Sequence, residues 1–168
     1  MRVVIVYESL YGNTHLVAQK VAEGINLRAE AVVVPVNEAT PDVLEGAELL
    51  VVGGPTHMHG LSTARTREMA ESDAEAHDRP LDPDAESEGL REWLHNLEAG
   101  NGRRAAAFDT RFDGPAGFTG RASRGIARRL RHHAFEVVAE PESFLVDKEN
   151  HLAPGEADRA REWADRLI

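Results

Sequence analysis

Short, nearly continuous apolar runs recur along the chain at residues 3–7, 31–36, 49–52, 104–108 and 137 to about 146. Runs of this length that do not alternate with polar positions read as strands buried on both faces. Between them the apolar spacing changes. Leu16, Val17, Val21 and Ile25 recur at the interval of a helix, predicting one over residues 14–25. Further helices are predicted over residues 41–45, with Thr40 as N-cap, and over 62–70, 88–97, 123–132 and 155–167. Strand and helix alternate from end to end, which implies an α/β domain around a parallel sheet. Right-handed crossovers then put helices on both faces. Five strands suit the order 2-1-3-4-5, in which a ligand lies beyond the C-terminal strand ends, at the switch point between strands 1 and 3.

One segment interrupts the rhythm. Residues 71–88 carry eight acidic residues, two prolines and one arginine, too polar a composition to bury. It predicts an exposed, partly mobile acidic insertion in a single domain spanning residues 1–168. A length of 168 residues supports a core without staples. The absence of cysteine removes disulfides and thiolate chemistry. No apolar run approaches the roughly 20 residues of a membrane helix, and no signal-peptide pattern opens the chain. The expectation is a cytoplasmic protein without a membrane partner. A net charge of −10 argues against a broad nucleic-acid surface. The arginines around Ile126 and Leu130 then form the wet face of a helix.

The loop between the first strand and first helix holds Ser9, Leu10, Tyr11, Gly12, Asn13 and Thr14. Its residues sit at a helix N-terminus, where N–H groups lack intrahelical partners and the dipole favours an anion. Gly12 permits a tight turn, and Ser9, Asn13 and Thr14 add hydrogen-bonding groups. No lysine or arginine lies between Tyr7 and Thr14. The nucleotide-triphosphate pattern G-x-x-x-x-G-K-[ST] and the dinucleotide pattern G-x-G-x-x-G are both absent from the loop. A phosphate monoester held by neutral donors is the best remaining candidate; an ordinary strand–helix turn is the plain alternative.

Ser9-Leu10-Tyr11-Gly12-Asn13-Thr14 resembles the FMN-phosphate loop of flavodoxins, Ser/Thr-x-Thr/Ser-Gly-x-Thr, matching it at Ser9, Gly12 and Thr14. Tyr11 departs from the usual small hydroxyl and is closer to the Ser-x-Tyr-Gly of flavodoxin-like quinone reductases. The resemblance implies a flavodoxin-like three-layer sandwich that binds FMN. The Gly-x-Pro-Thr sequence ending at Thr56 is similar to the flavin loop of the quinone-reductase branch, implying that Pro55, Thr56, His57, Met58, His59 and Gly60 line the isoalloxazine ring. His57 and His59 at i, i+2 lack a third metal ligand at a suggestive spacing, so no metal is expected. In flavodoxins the loop after strand 4 closes over the other ring face. That implies roles for Asp109, Thr110, Arg111, Phe112 and Phe118, with phenylalanines where flavodoxins usually place tyrosine or tryptophan. Arg111 either raises the flavin potential with its charge or pairs with Asp109 or Asp113 to shape the loop.

The function implied is electron transfer to a redox partner protein or small-molecule acceptor, with no catalytic acid or base. The alternatives are an FMN-dependent NAD(P)H:quinone or small-molecule reductase, and an interaction module that has lost the flavin.

Overall fold

The computed structural model describes residues 1–57, 60–77 and 89–168. Strand β1 (Arg2–Tyr7) leads into helix α1 (Asn13–Ile25) and strand β2 (Glu30–Pro35). A short helix α2 (Pro41–Leu44) precedes β3 (Leu49–Pro55). Helices α3 (Ala64–His77) and α4 (Leu90–Asn96) lead to β4 (Arg104–Phe112). The chain ends through α5 (Ala116–Thr119), α6 (Ala122–His132), β5 (Glu136–Val137), β6 (Glu142–Val146) and α7 (Glu156–Ala164). The parallel sheet has the expected order, β2-β1-β3-β4-β5, with β6 also on β4.

The sheet separates two apolar layers, and the period of two along each strand decides which layer a side chain joins. From β1, Val3, Ile5 and Tyr7 pack with Val17, Val21 and Ile25 of α1 and with Trp163 of α7. Val4 and Val6 face the other way, toward Trp93 and Leu94 of α4 and Ile126 and Leu130 of α6. Phe108, Phe144 and Trp163 meet edge-on with centroids 6.0–6.1 Å apart, the arrangement their ring quadrupoles favour. Gly53 is required here. A Cβ on it would lie 2.0 Å from the Phe108 ring on the neighbouring strand.

Four sequence expectations change. The fifth run divides into β5 and β6, because Pro141 has no N–H to offer a ladder. Strand β4 extends past Phe108 to Phe112, paired with β3 as far as Thr110 and with β6 as far as Phe112. Helix α3 continues through Glu71–His77, so this part of the acidic segment is helical, with Ala74 buried. Residues 78–88 lie outside the described residues. Thr40 stands at the N-cap of α2, but its hydroxyl makes no cap bond; its carbonyl accepts from Leu44 N at 3.1 Å.

Helix α6 is anchored by a buried carboxylate. Asp109 Oδ2 accepts from Ser123 N at 2.7 Å, at the first turn of the helix. Asp109 is fully buried, and burial pushes its carboxyl above the usual range despite this bond. A raised folded-state pKa means that the folded chain holds the proton more tightly than the unfolded one. The corresponding stability is present below the ordinary carboxylate pKa and is lost as pH rises through the raised value. Asp109→Asn has no charge to bury. The stability of the wild type relative to this variant should therefore fall over the interval that opens at about pH 4, the ordinary carboxylate value, and closes at the raised one. Urea unfolding of both proteins across that interval checks it, and a pH-independent difference would leave the Asp109 carboxyl unshifted.

Candidate functional site

Because β1 pairs with β2 on one side and β3 on the other, the loops after β1 and β3 leave the sheet in opposite directions. A cleft of about 80 Å³ opens there. Ser9, Leu10, Tyr11, Asn13 and Thr14 come from the first loop and the start of α1. Pro55, Thr56 and His57 come from the end of β3, and Thr110, Arg111 and Phe112 from the end of β4. Most of the residues expected from three separate loops thus line one cleft. An adjoining depression of about 270 Å³ shares Tyr11, His57, Phe112 and Asn150 with it. A larger cavity, about 590 Å³, lies away from these loops between α2 and the end of α4.

The floor is made of hydroxyls and backbone. Gly12 occupies the left-handed region at φ 92°, and its N–H donates to Ser9 Oγ at 3.1 Å. This ties the loop back on itself and makes Gly12 a conformational requirement rather than an open donor. Leu16 N donates to Gly12 O at 2.9 Å, the first bond of α1. The N–H groups of Asn13 and Thr14 precede that bond and have no intrahelical acceptor. Thr14 Oγ1 lies 2.7 Å from Thr110 Oγ1, a buried link between α1 and β4. The Asn13 amide donates to Asn150 O at 3.0 Å. These floor groups are neutral, and Arg111 lines the cleft from the side of β4.

The walls suit a flat ring. Tyr11 lines the cleft and its hydroxyl donates to Ala70 O at 3.2 Å, fastening the first loop to α3. Phe112 lines it while remaining 56% exposed. His57 and Gly60 exchange backbone bonds of 2.7 and 2.8 Å. Burial, with a contribution from the Arg67 charge, holds the His57 imidazole below its ordinary pKa and therefore neutral at pH 7. His57 Nε2 and Arg111 Nε are buried with no protein hydrogen-bond partner, and both belong to residues that line the cleft. Buried polar atoms of this kind call for an external partner. The donor set therefore fits a phosphate held by neutral groups and a ring bearing polar edge atoms.

Several expected site residues sit elsewhere. Asp109 faces α6, because alternation along β4 sends Thr110 to the α1 side and Asp109 to the other. Phe118 belongs to α5, is 79% exposed and does not line the cleft. Gly60 exchanges backbone bonds with His57 without lining the cleft. Met58 and His59 lie outside the described residues. Arg111 pairs with neither Asp109 nor Asp113. Its guanidinium donates to Gly114 O at 2.8 Å, Thr119 Oγ1 at 3.1 Å and Phe112 O at 3.4 Å. It shapes the loop through neutral acceptors and, among the described residues, forms no ion pair.

The sequence reading omits Asn150 and Val146, which complete the cleft from the end of β6 and the turn beyond it. Asn150 has φ 65°, and asparagine in a strand-exit turn at the correct sheet edge was the available signal. It also omits Glu8. This buried carboxylate accepts from Ser62 Oγ and, at 2.7 Å, from Leu90 N. Burial raises its pKa above the carboxylate range, against the pull of both bonds. It joins the start of the first loop to the segment after β3 and to α4.

Residues 5–101 match the family model described as Flavodoxin. No curated protein matches the chain. Among solved structures, a flavodoxin from the domain Archaea superposes with a TM-score of 0.67 at 17% identity, covering 99% of this chain and 96% of the other. Flavodoxin 1 from Bacillus cereus gives 0.67 at 16%, covering 99% and 97%. The WrbA-like flavodoxin from Agrobacterium tumefaciens gives 0.61 at 18%, covering 99% and 94%. At these identities the structures establish the shared fold. The family match spans more than half of the chain and includes both the first loop and the loop after β3. The chain belongs to the flavodoxin family, whose cofactor is FMN.

Proposed function

We propose that the protein holds FMN in the cleft and carries electrons between a redox partner protein and an acceptor. The observation that carries this reading is the convergence of Ser9, Thr14 and Thr110 hydroxyls with unpaired helix N–H groups at the switch point. Ser9, Asn13 and Thr14 hold the phosphate, with Gly12 setting the backbone. Tyr11, His57 and Phe112 flank the ring. Bound FMN supplies the electron chemistry; the protein supplies position and field. The neutral His57 imidazole offers the ring edge a hydrogen bond without a charge. Arg111 places a positive charge in the wall.

A second reading, an FMN-dependent NAD(P)H:quinone or small-molecule reductase, is favoured by one feature. The depression beside the cleft, lined by Thr66, Met69 and Ala70 of α3, leaves room for a second substrate next to the ring. NADPH oxidation that requires an added quinone selects this reading. No helix among the described residues is long and apolar enough to cross a membrane, and a cytoplasmic location accords with the proposal.

Two substitutions test the cofactor site. Thr14→Ala removes a hydroxyl from the phosphate cradle and should weaken FMN by roughly 0.5–1.5 kcal/mol, a roughly two- to tenfold rise in Kd. Gly12→Val forces a β-branched residue to a positive φ and should weaken FMN further. Fluorescence titration with FMN measures both. Unchanged affinity in folded variants removes this loop from the site.

Arg111→Gln keeps a hydrogen-bonding side chain and removes the charge. Reduction adds negative charge to the ring, so losing the cation should lower the midpoint potential of bound FMN. A tenfold change in a one-electron equilibrium corresponds to about 59 mV. Redox titration of both proteins measures it, and an unmoved potential confines Arg111 to bonding the loop.

A further inference from the structure

Helix α6 has the sequence Ala-Ser-Arg-Gly-Ile-Ala-Arg-Arg-Leu-Arg-His, with four arginines and no acidic residue, in a chain whose net charge is −10. Ala122, Ser123, Ile126, Ala127 and Leu130 are buried and hold the helix on the sheet. Arg124, Arg128 and Arg131 are exposed. Their spacing of i, i+4 and i+7 puts them on one face, as a straight stripe about 10 Å long. Among the described residues none of the three forms an ion pair. This differs from α7, where Arg159 pairs with Glu142 and Glu156, and Arg161 with Glu23 and Asp158.

The positive charge is crowded as well as unpaired. Arg129, beside the stripe, is held below its ordinary pKa by partial burial and by the charges of Arg91 and Arg128. The helix also begins at the cleft rim, where Ala122 N donates to Thr56 Oγ1 at 3.0 Å. Just before it in the chain stands Phe118, 79% exposed. Aromatic residues and arginine are both enriched in protein interfaces, and arginine is among the residues that carry most of their binding energy.

We propose that the α6 face, with Arg124, Arg128 and Arg131, is a docking surface for a protein partner that presents a row of carboxylates. Guanidinium forks match carboxylates in paired geometry, and carboxylates one helical turn apart on a partner match the spacing of the stripe. A nucleic acid fits less well. Three arginines neutralise about three phosphates, against roughly six to ten for a protein that binds DNA through its backbone. The remaining surface of a chain with charge −10 would also repel an extended polyphosphate. The surface stands on its own charges and does not depend on FMN occupancy. Its start at the cleft rim gives it a use in electron transfer.

The test measures fluorescence anisotropy of a labelled poly-glutamate peptide and of an oligothymidylate carrying the same number of charges, each titrated with the purified protein at low ionic strength. The expected result is saturable peptide binding that weakens as salt is added and exceeds oligothymidylate binding. The triple variant Arg124→Gln, Arg128→Gln, Arg131→Gln should bind the peptide about tenfold more weakly. Circular dichroism and FMN titration confirm that the variant is folded with its cleft intact. The single variant Arg128→Gln serves if the triple variant fails to fold, with a smaller loss expected. Undetectable peptide binding, binding unchanged by the substitutions, or tighter binding of the oligothymidylate would each overturn the proposal. FMN affinity is read separately, so failure here leaves the cofactor reading standing, and failure of the cofactor titration leaves this one.

Discussion

Strand β1 is bonded along both edges, to β2 from Arg2↔Glu30 to Tyr7↔Pro35 and to β3 from Val3↔Leu49 to Tyr7↔Gly53. The site follows from that double pairing. The chain leaves β1 through α1 toward one flank, whereas the segment leaving β3 heads for the other. The two exits diverge and open a crevice that neither flank fills. Side chains from Val3 to Val6 are completely buried, so a one-residue slip would exchange the two apolar layers. Register, and with it the meeting of Thr14 with Thr110, is therefore fixed by hydrophobic burial rather than by the polar groups of the cleft.

Buried carboxylates then fasten the loops to this frame. Glu8 bonds Ser62 and Leu90, and Asp109 bonds Ser123. Glu156 Oε2 accepts from Leu145 N at 2.6 Å. The three differ in electrostatic setting. Burial raises the pKa of Glu8 and Asp109, which have hydroxyl and amide donors. Burial alone would raise Glu156 too, but Arg159 and the Leu145 N–H hold it below its ordinary value. Glu8 fastens the start of the first loop and Asp109 the first turn of α6, both at some cost in stability, while Glu156 is satisfied by charge. Carboxylates held by uncharged donors thus stand apart from one held by a charged partner.

What was legible in the sequence is what short local patterns encode. The runs at β1 and β3, the Ser9-to-Thr14 loop and the strand order are recorded in local patterns, because buried parallel strands and helix-entry turns have characteristic composition. The end of β4 was not legible. Asp109, Thr110, Arg111 and Phe112 read as a polar, glycine-flanked loop, and only pairing with β3 and β6 holds them extended. Since alternation in a strand sends neighbours to opposite faces, mistaking strand for loop also misplaced Asp109 at the ring. Glu71–His77 read as part of a loop too polar to bury, yet Ala74 packs inward from the helix they continue. Asn150 was missed because its contribution depends on a chain reversal far from the first loop in sequence.

The arginines show how residue type alone understates function. Arg111, Arg121, Arg159 and the α6 arginines belong to one side chain class, but their acceptors separate them. Arg159 is neutralised by Glu142 and Glu156. Arg121 is satisfied by Pro141 O and Ser143 Oγ, and Arg111 by Gly114 O, Phe112 O and Thr119 Oγ1. Neutral acceptors satisfy the geometry of a guanidinium without cancelling its charge, so Arg111 and Arg121 remain local sources of positive potential beside an otherwise acidic chain. With the unpaired stripe on α6, positive charge is concentrated from the cleft wall along one flank. A flavin that gains negative charge on reduction and an acidic partner approaching that flank would both be favoured by the same potential. The interaction of each with it would weaken the pull on the other through charge compensation, and added salt would diminish both.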